Sequence, residues 1–328
     1  MAGVDYSGRY DAIVVGVGAM GSATAYHLAR RGKRVLGLER FGVPHSMGSS
    51  HGHTRIIRLA YLEHPSYVLL LRRAYELWRE IQSIAGEQLL YITGSIDAGP
   101  EDSFVFKGSW ESCKLHDLPH EVLTGAELRR RYPGYHLPLG HLALLQPEGG
   151  FLTPERCIVS YVMAAQSVGA EIHGHEKVLE WVPLDGGVRV RTDRDTYEAD
   201  KLVVTAGAWN GELLNVLAGL AVPERQVLAW LQPTRPEYFR SDTFPSSTCW
   251  WTRADSTASR CSACRASSSA STTTSRRRPT PTRWIGRHTT TTSGFCGTSP
   301  SGTSRTVAAR RWTSRPACLP TSRTTTSS

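Results

Sequence analysis

Hydrophobic residues in the first forty positions form two short continuous runs separated by a helical stripe. The first run covers residues 10–15 and leads into a glycine-rich loop. Residues 22–31 carry apolar side chains at helical spacing, and the second run covers residues 34–39. Short apolar runs bounded by turn residues are typical of buried strands, and Gly32 follows the helical stretch as a stop signal. The pattern predicts a β-α-β unit.

Later segments continue this alternation of helix and strand. A helical stripe at residues 65–85 indicates a core helix, and Thr153 with Pro154 begins another helix that ends near Val168, before Gly169. Strands are predicted at 171–175, 187–191 and 201–205, and a β-rich signal covers 89–96. We therefore predict an α/β fold with two domains. A Rossmann-like domain comprises 1–85 and 146–219, and an inserted β-sheet domain comprises 86–145 and 220–245.

The loop after the first strand reads Gly16-Val-Gly18-Ala-Met-Gly21. Gly16 permits a tight turn, Gly18 the close approach of a pyrophosphate to the helix N-terminus, and Gly21 the close packing of helix on strand. Glu39 ends the second strand, where a carboxylate can accept hydrogen bonds from the ribose hydroxyls of an adenosine. These residues predict a dinucleotide site without separating FAD from NAD.

A second segment, residues 48–58, combines small residues with two arginines and reads GSSHGHTRIIR. Small residues let the backbone lie against a planar ring, and Arg55 and Arg58 would share one face if the segment were helical. One guanidinium would then stabilise negative charge on a reduced flavin while the other binds a substrate carboxylate. Alternatively, Arg55 and Arg58 are ordinary surface charges without a ligand. His51 is either a polar neighbour of the flavin or a histidine whose hydrogen bonds are satisfied by other residues of the protein.

This segment and the Pro44-His45 pair before it resemble the PPHxxGSHHGDTR[IL]IRHAYGE stretch of the monomeric sarcosine oxidase and N-methyltryptophan oxidase family. Further matches occur at Thr93-Gly94, at PEGGFL (147–152), at ADKLVVTAGAWN (199–210) and at RQVLAW (225–230). The resemblance covers about residues 10–245. Ser50 and His53 depart from the family, which usually has His and Asp there.

The resemblance implies an FAD-dependent oxidase of secondary amino acids, such as sarcosine or N-methyltryptophan, that gives an imine and hydrogen peroxide. It implies a monomer whose partners are oxygen and a small substrate with a carboxylate, and it assigns that carboxylate to Arg58. The residues expected to contact FAD are Gly16, Gly18, Ala19, Met20, Gly21, Glu39, Arg40, Ser49, Ser50, His51, Arg55, Ile56, Val178, Thr205, Ala206, Gly207 and Trp209.

Three other functions remain open at this point. An NAD-linked dehydrogenase shares the unit from Gly16 to Glu39 but has no reason to carry residues 48–58. An FAD-dependent amino acid dehydrogenase of the same superfamily fits the same motifs. A non-catalytic fragment is the third alternative, and the residues after Pro245 favour it.

The composition changes after Pro245. Residues 246–328 hold 20 Thr, 18 Ser and 13 Arg, with Asp255 as their one acidic residue. The net charge of +9 therefore divides into +12 for this segment and −3 for residues 1–245. Such a segment buries too little apolar surface to offset chain entropy, so we expect it to be disordered. Because the basic charge is confined to it, the charge is no argument for nucleic-acid binding.

Cysteine usage favours a reduced compartment, since residues 1–245 contain only Cys113 and Cys157. The sequence shows neither a signal segment nor an apolar run of membrane-spanning length, so a cytoplasmic protein is expected. The Cys261-x-x-Cys264 pair has no second ligand pair at a suitable spacing, and no metal site is predicted.

Residues 246–328 have the character of an out-of-frame translation. A DNA string encoding GRFYGFPVFGVPGFKFGKYHH, which resembles the family's next segment, gives residues 254–273 when read from its second base. A string encoding CMFTNLPDDHFI gives residues 317–328 in the same way. The resemblance places an oxygen-activating lysine, the FAD-tethering cysteine and a substrate-facing lysine in or beyond the missing frame, and Cys318 does not replace that cysteine. We expect the 328-residue chain to be inactive.

Resequencing the gene across codon 245 tests the frame hypothesis. We expect a one-base correction near codon 246 to yield a run similar to GFPxFGxPGFK, because both back-translated strings share one frame. A confirmed sequence whose other frames lack this run contradicts the hypothesis.

Overall fold

Three β-sheets and six α-helices make up the part of the chain that the computed structural model describes, which is residues 9–217, 219–224, 228–240 and 242–250. The strands are β1 (Tyr10–Val15), β2 (Val35–Leu38), β3 (Arg55–Ile57), β4 (Leu90–Ile92), β5 (Ser95–Pro100), β6 (Glu121–Thr124), β7 (His141–Gln146), β8 (Gly150–Leu152), β9 (Glu171–His173), β10 (Val178–Leu184), β11 (Gly187–Thr192), β12 (Thr196–Val204) and β13 (Ser246–Cys249). The helices are α1 (Ala19–Ala29), α2 (Tyr67–Ala85), α3 (Phe104–His116), α4 (Gly125–Arg131), α5 (Pro154–Ser167) and α6 (Asn210–Leu213).

The largest sheet has six strands in the order β10-β11-β12-β1-β2-β9. β1 lies parallel to β12 and β2, and β9 extends the parallel part beyond β2, whereas β10 and β11 are antiparallel. The β-α-β unit predicted from the apolar runs is confirmed, as are the strands predicted near 171, 187 and 201. β10 was missed, because Pro183 and its mixed polar pattern are unusual in a strand.

Helices α1 and α5 pack against each other on one face of this sheet. Their interface is rich in small residues, since Ala25, Ala29, Ala164 and Ala165 are all buried in one core cluster with Tyr161. Alanine allows two helix axes to approach closely without a loss of helix propensity. The helix predicted to begin at Thr153 is confirmed as α5, with Pro154 at its first position. Within the described ranges, every helix is too short or too polar to span a lipid bilayer.

A second sheet has the order β13-β5-β7-β6 and its own apolar core. Tyr135 is at the centre of that core: it is fully buried, stacks on Phe244 at 4.7 Å and donates a hydrogen bond to the Pro245 carbonyl. This core thus joins residues of the two segments assigned from sequence to the inserted domain, while strand β13 lies directly after the second segment. The domain boundaries themselves stay a prediction.

Strand β13 departs from the expectation that no packed structure follows Pro245. Its residues pair in parallel with β5, and Ser247 is only 4% exposed. Backbone hydrogen bonding makes no demand on side-chain type, so a segment of Ser, Thr and Cys residues can form a paired strand. Residues 251–328, including Cys261, Cys264 and Cys318, lie outside the described residues.

The third sheet, β3-β8-β4, corrects the conditional expectation of a helix at residues 55–58. Arg55 begins β3, which pairs antiparallel with β8, and Arg58 follows directly after β3. Side chains three apart along a strand point to opposite sides. The two arginines therefore do not share one face.

Gly108 provides a test of packing between α3 and the segment before α2. A Cβ at Gly108 would lie 2.0 Å from the Leu62 carbonyl oxygen, whereas one at Gly211 in α6 would meet nothing within 4 Å. Alanine normally stabilises a helix relative to glycine by about 1 kcal/mol. We expect Gly108→Ala instead to lower the free energy of unfolding by about 1–3 kcal/mol. Gly211→Ala is the matched control and should leave it unchanged or slightly raised. Urea unfolding measures both, and a Gly108→Ala protein more stable than wild type contradicts the packing.

Candidate cofactor groove and active site

A groove lies where the carboxyl ends of β1, β2 and β12 meet the loop of residues 44–55. Its volume is about 360 Å³, within the range of small-molecule sites. The carboxyl edge of parallel strands is where α/β sheets bind ligands. Most of the residues predicted to contact a cofactor line it, namely Gly16, Gly18, Ala19, Met20, Glu39, Arg40, Ser49, Ser50, Arg55, Val178, Thr205, Ala206, Gly207 and Trp209.

The floor of the groove is the turn from β1 into α1. Gly16 has φ +90°, and a Cβ there would lie 2.6 Å from the Thr205 carbonyl oxygen. Gly21 does not line the groove but packs beneath it, where a Cβ would lie 1.8 Å from the Gly16 carbonyl oxygen. The Thr205 hydroxyl donates to that same carbonyl at 2.7 Å. The end of β12 therefore fixes the turn.

The N-terminus of α1 opens into this groove. Gly18 is its N-cap and supplies no side-chain cap, so the first amides of the helix remain available as donors. A Cβ at Gly18 would meet no protein atom within 4 Å. Free amides together with the positive end of the helix dipole favour an anionic group at this place.

Glu39 lies at the end of β2 and is only 5% exposed. Its Oε2 accepts from the Val17 amide at 2.9 Å and its Oε1 from the Phe41 amide at 3.0 Å. His45 Nε2 lies 3.5 Å from Oε1, and burial lowers the pKa of His45 despite the neighbouring carboxylate. Each carboxylate oxygen of Glu39 retains acceptor capacity for a ribose hydroxyl.

Sequence reasoning missed several residues of the groove wall. His45 belongs to the segment that carried the resemblance, but no role followed from its position. Glu212 lies 3.6 Å from Arg40, whose guanidinium also lies over the ring of Trp209. Glu176 and Lys177 come from the turn between β9 and β10. No sequence signal pointed to Glu176, Lys177 or Glu212, because none of them belongs to a motif that carried the resemblance.

Arg55 organises the loop of residues 48–55. Its guanidinium donates to the carbonyl oxygens of Ser49, His51 and Thr54, and burial lowers its pKa. His51 does not line the groove: its Nδ1 lies 2.7 Å from Glu155 Oε1. Ile56 also lies outside the groove lining, in β3.

Arg58 lies apart from the groove lining, between β5 and β13. It is 9% exposed, its Nε lies 3.5 Å from Asp97 Oδ2 and its Nη1 donates to the Thr248 hydroxyl at 3.0 Å. Asp97 is 1% exposed and accepts from the Ser109 hydroxyl at 2.7 Å. Burial raises the pKa of Asp97, and the charge of Arg58 opposes that shift. Sequence reasoning missed Asp97, a lone acid in an apolar strand.

Comparison with known proteins agrees with this geometry. The family model "FAD dependent oxidoreductase" matches residues 11–258. The chain belongs to the FAD-dependent oxidoreductase family. Monomeric sarcosine oxidase of Streptomyces avermitilis is 44% identical over 69% of this chain and 59% of its own length. N-methyl-L-tryptophan oxidase of Yersinia pestis is 36% identical over 73% of this chain and 64% of its own.

Among solved structures, NikD, an amino acid oxidase essential for nikkomycin biosynthesis, is 32% identical with a TM-score of 0.59. The match covers 69% of this chain and 57% of NikD. The chain thus spans about three fifths of the length of these relatives. FAD is the cofactor of the family.

The residues of the groove fit this cofactor. The open α1 N-terminus at Gly18 suits a diphosphate, and the buried carboxylate of Glu39 suits the adenosine ribose. Among the described residues, no group of three or more His, Cys, Asp or Glu side chains could hold a metal ion.

Substitutions at Gly18 and Gly21 distinguish the role of the glycine loop between β1 and α1 in binding from its role in folding. We expect Gly18→Ala to keep the free energy of unfolding within about 0.5 kcal/mol, as its methyl group meets no protein atom. It should nevertheless weaken FAD binding, because the methyl group occupies the approach to the α1 amides. Gly21→Ala should destabilise the fold by about 1–3 kcal/mol through its clash with Gly16. Calorimetry with FAD and urea unfolding measure the pair, and equal FAD affinity of Gly18→Ala and wild type contradicts the assignment.

Proposed function

We propose that the groove holds FAD and that this chain derives from an oxidase of N-methyl amino acids, acting as a monomer in the cytoplasm. The observation that carries the proposal is the combination of an uncapped α1 N-terminus with the buried Glu39 carboxylate, in a chain 44% identical to a monomeric sarcosine oxidase. The free thiols of Cys113 and Cys157 support a reducing compartment.

The groove residues have distinct parts in holding FAD. The amides of Ala19 and Met20 would bind the diphosphate, and Glu39 would accept the ribose hydroxyls. Arg55 supplies positive charge beside the loop of residues 48–55. When bound, FAD supplies a hydride acceptor for the substrate carbon next to nitrogen, and oxygen is the final acceptor, giving hydrogen peroxide. The protein contributes the orientation of that carbon.

Arg58 would hold the substrate carboxylate. Among the described residues, its buried Nε has no hydrogen-bond acceptor in suitable geometry, so the guanidinium retains donor capacity for a second anion. Asp97 shares this charge.

The 328-residue chain itself is proposed to bind FAD without turnover. The resemblance places further catalytic residues in the reading frame that is missing after Pro245. Thr248, which contacts Arg58, also belongs to the segment after that change. A frame-restored protein is therefore the appropriate material for assays of the reaction.

The role of Arg58 can be measured by titrating flavin absorbance in the frame-restored protein with a carboxylate inhibitor. A charge-assisted hydrogen bond contributes about 1.5–3 kcal/mol, so Arg58→Ala should weaken binding roughly ten- to a hundredfold. Arg58→Lys should recover part of this, because it keeps charge without the two-pronged geometry. Arg191→Ala, which removes an exposed arginine paired with Glu180, is the control. Unchanged inhibitor affinity of Arg58→Ala with flavin fully bound removes Arg58 from the substrate site.

A further inference from the structure

The loop of residues 48–55 forms one wall of the groove but contains no regular secondary structure before β3. Arg55 ties its carbonyl oxygens together from within. These internal bonds give the loop a shape, but they do not attach it to the rest of the protein. Its position relative to α1 and β2 requires a contact with another element.

Glu155 makes such a contact from the first turn of α5. Its Oε1 accepts from the Gly52 amide at 2.9 Å and lies 2.7 Å from His51 Nδ1. Gly52 has φ +114°, a conformation that favours glycine. The loop therefore turns at the residue whose amide donates to the Glu155 carboxylate. The carboxylate also lies at the positive end of the α5 dipole. Partial burial opposes ionisation of Glu155, but the bonds from Gly52 and His51 outweigh it and hold its pKa below the usual range.

We propose that Glu155 is a positioning residue that fastens the loop of residues 48–55 to α5 and thereby holds the groove wall in the form that binds FAD. The role rests on the proposed FAD site. Glu155 does not line the groove, so it acts through Gly52 and His51 rather than by touching the cofactor.

The test compares FAD and AMP affinities of the full chain by calorimetry. Glu155→Ala should weaken FAD binding at least tenfold and leave AMP binding within twofold, because AMP needs only the Glu39 side of the groove. Glu155→Gln keeps an acceptor for Gly52 but loses the charge facing His51, so it should fall between. Glu87→Gln is the matched control: it breaks the Glu87–Arg156 ion pair at the same end of α5 and leaves the loop contacts intact.

Hydrogen exchange of the Gly52 amide without FAD gives a second readout. Its protection should be lost in Glu155→Ala and largely kept in Glu155→Gln. Unchanged FAD affinity and unchanged Gly52 protection in Glu155→Ala would overturn the role. An equal loss of FAD and AMP binding with a lower melting temperature would also overturn it, in favour of general destabilisation. Failure of the wild-type chain to bind FAD would instead overturn the proposed function.

Discussion

The groove depends on the close approach of three backbone segments at the end of β1. The Thr205 hydroxyl donates to the carbonyls of Val15 and Gly16, and the Gly16 amide donates to the Leu38 carbonyl. These bonds join β12, β1 and β2 at one edge. No side chain fits at Gly21 or Gly16 within this junction. The glycines are therefore required for the sheet and α1 to meet, and the binding surface follows from that packing.

The charge of the groove follows from burial. A carboxylate as buried as Glu39 is costly unless hydrogen bonds satisfy it, and the Val17 and Phe41 amides do so. The two amides bind different carboxylate oxygens and fix the orientation of the side chain. Burial lowers the pKa of His45 beside this carboxylate. The groove thus presents a negative group at the β2 end and a positive helix end at Gly18, matching the two polar parts of an adenosine diphosphate.

The local parts of this arrangement could be predicted from the residues themselves. Distant groove residues such as Val178, Thr205 and Trp209 were predicted only through the family resemblance, and specific side-chain pairs between distant segments were not predicted. Glycine spacing and apolar runs identified β1, α1, β2 and Glu39, because each depends on neighbouring residues. The pairs Arg58–Asp97 and His51–Glu155 join residues far apart in the chain. Neither strand periodicity nor residue type fixes which distant side chains meet. β13 was missed because its sequence of Ser, Thr and Cys residues has no apolar pattern, and its pairing with β5 depends on backbone hydrogen bonds.

The strand conformation of residues 55–57 decides why two arginines so close in sequence lie in different parts of the molecule. In a helix, Arg55 and Arg58 would be separated by about 4.5 Å along the axis and would share a face, so both would compete for one ligand. In the extended chain of β3 their Cα atoms lie about 10 Å apart and their side chains diverge. Arg55 accordingly lines the groove, whereas Arg58 reaches Asp97 in the second sheet. Because β3 pairs with β8, which leads directly into α5 and Glu155, one short strand sets the spacing between the groove and Arg58.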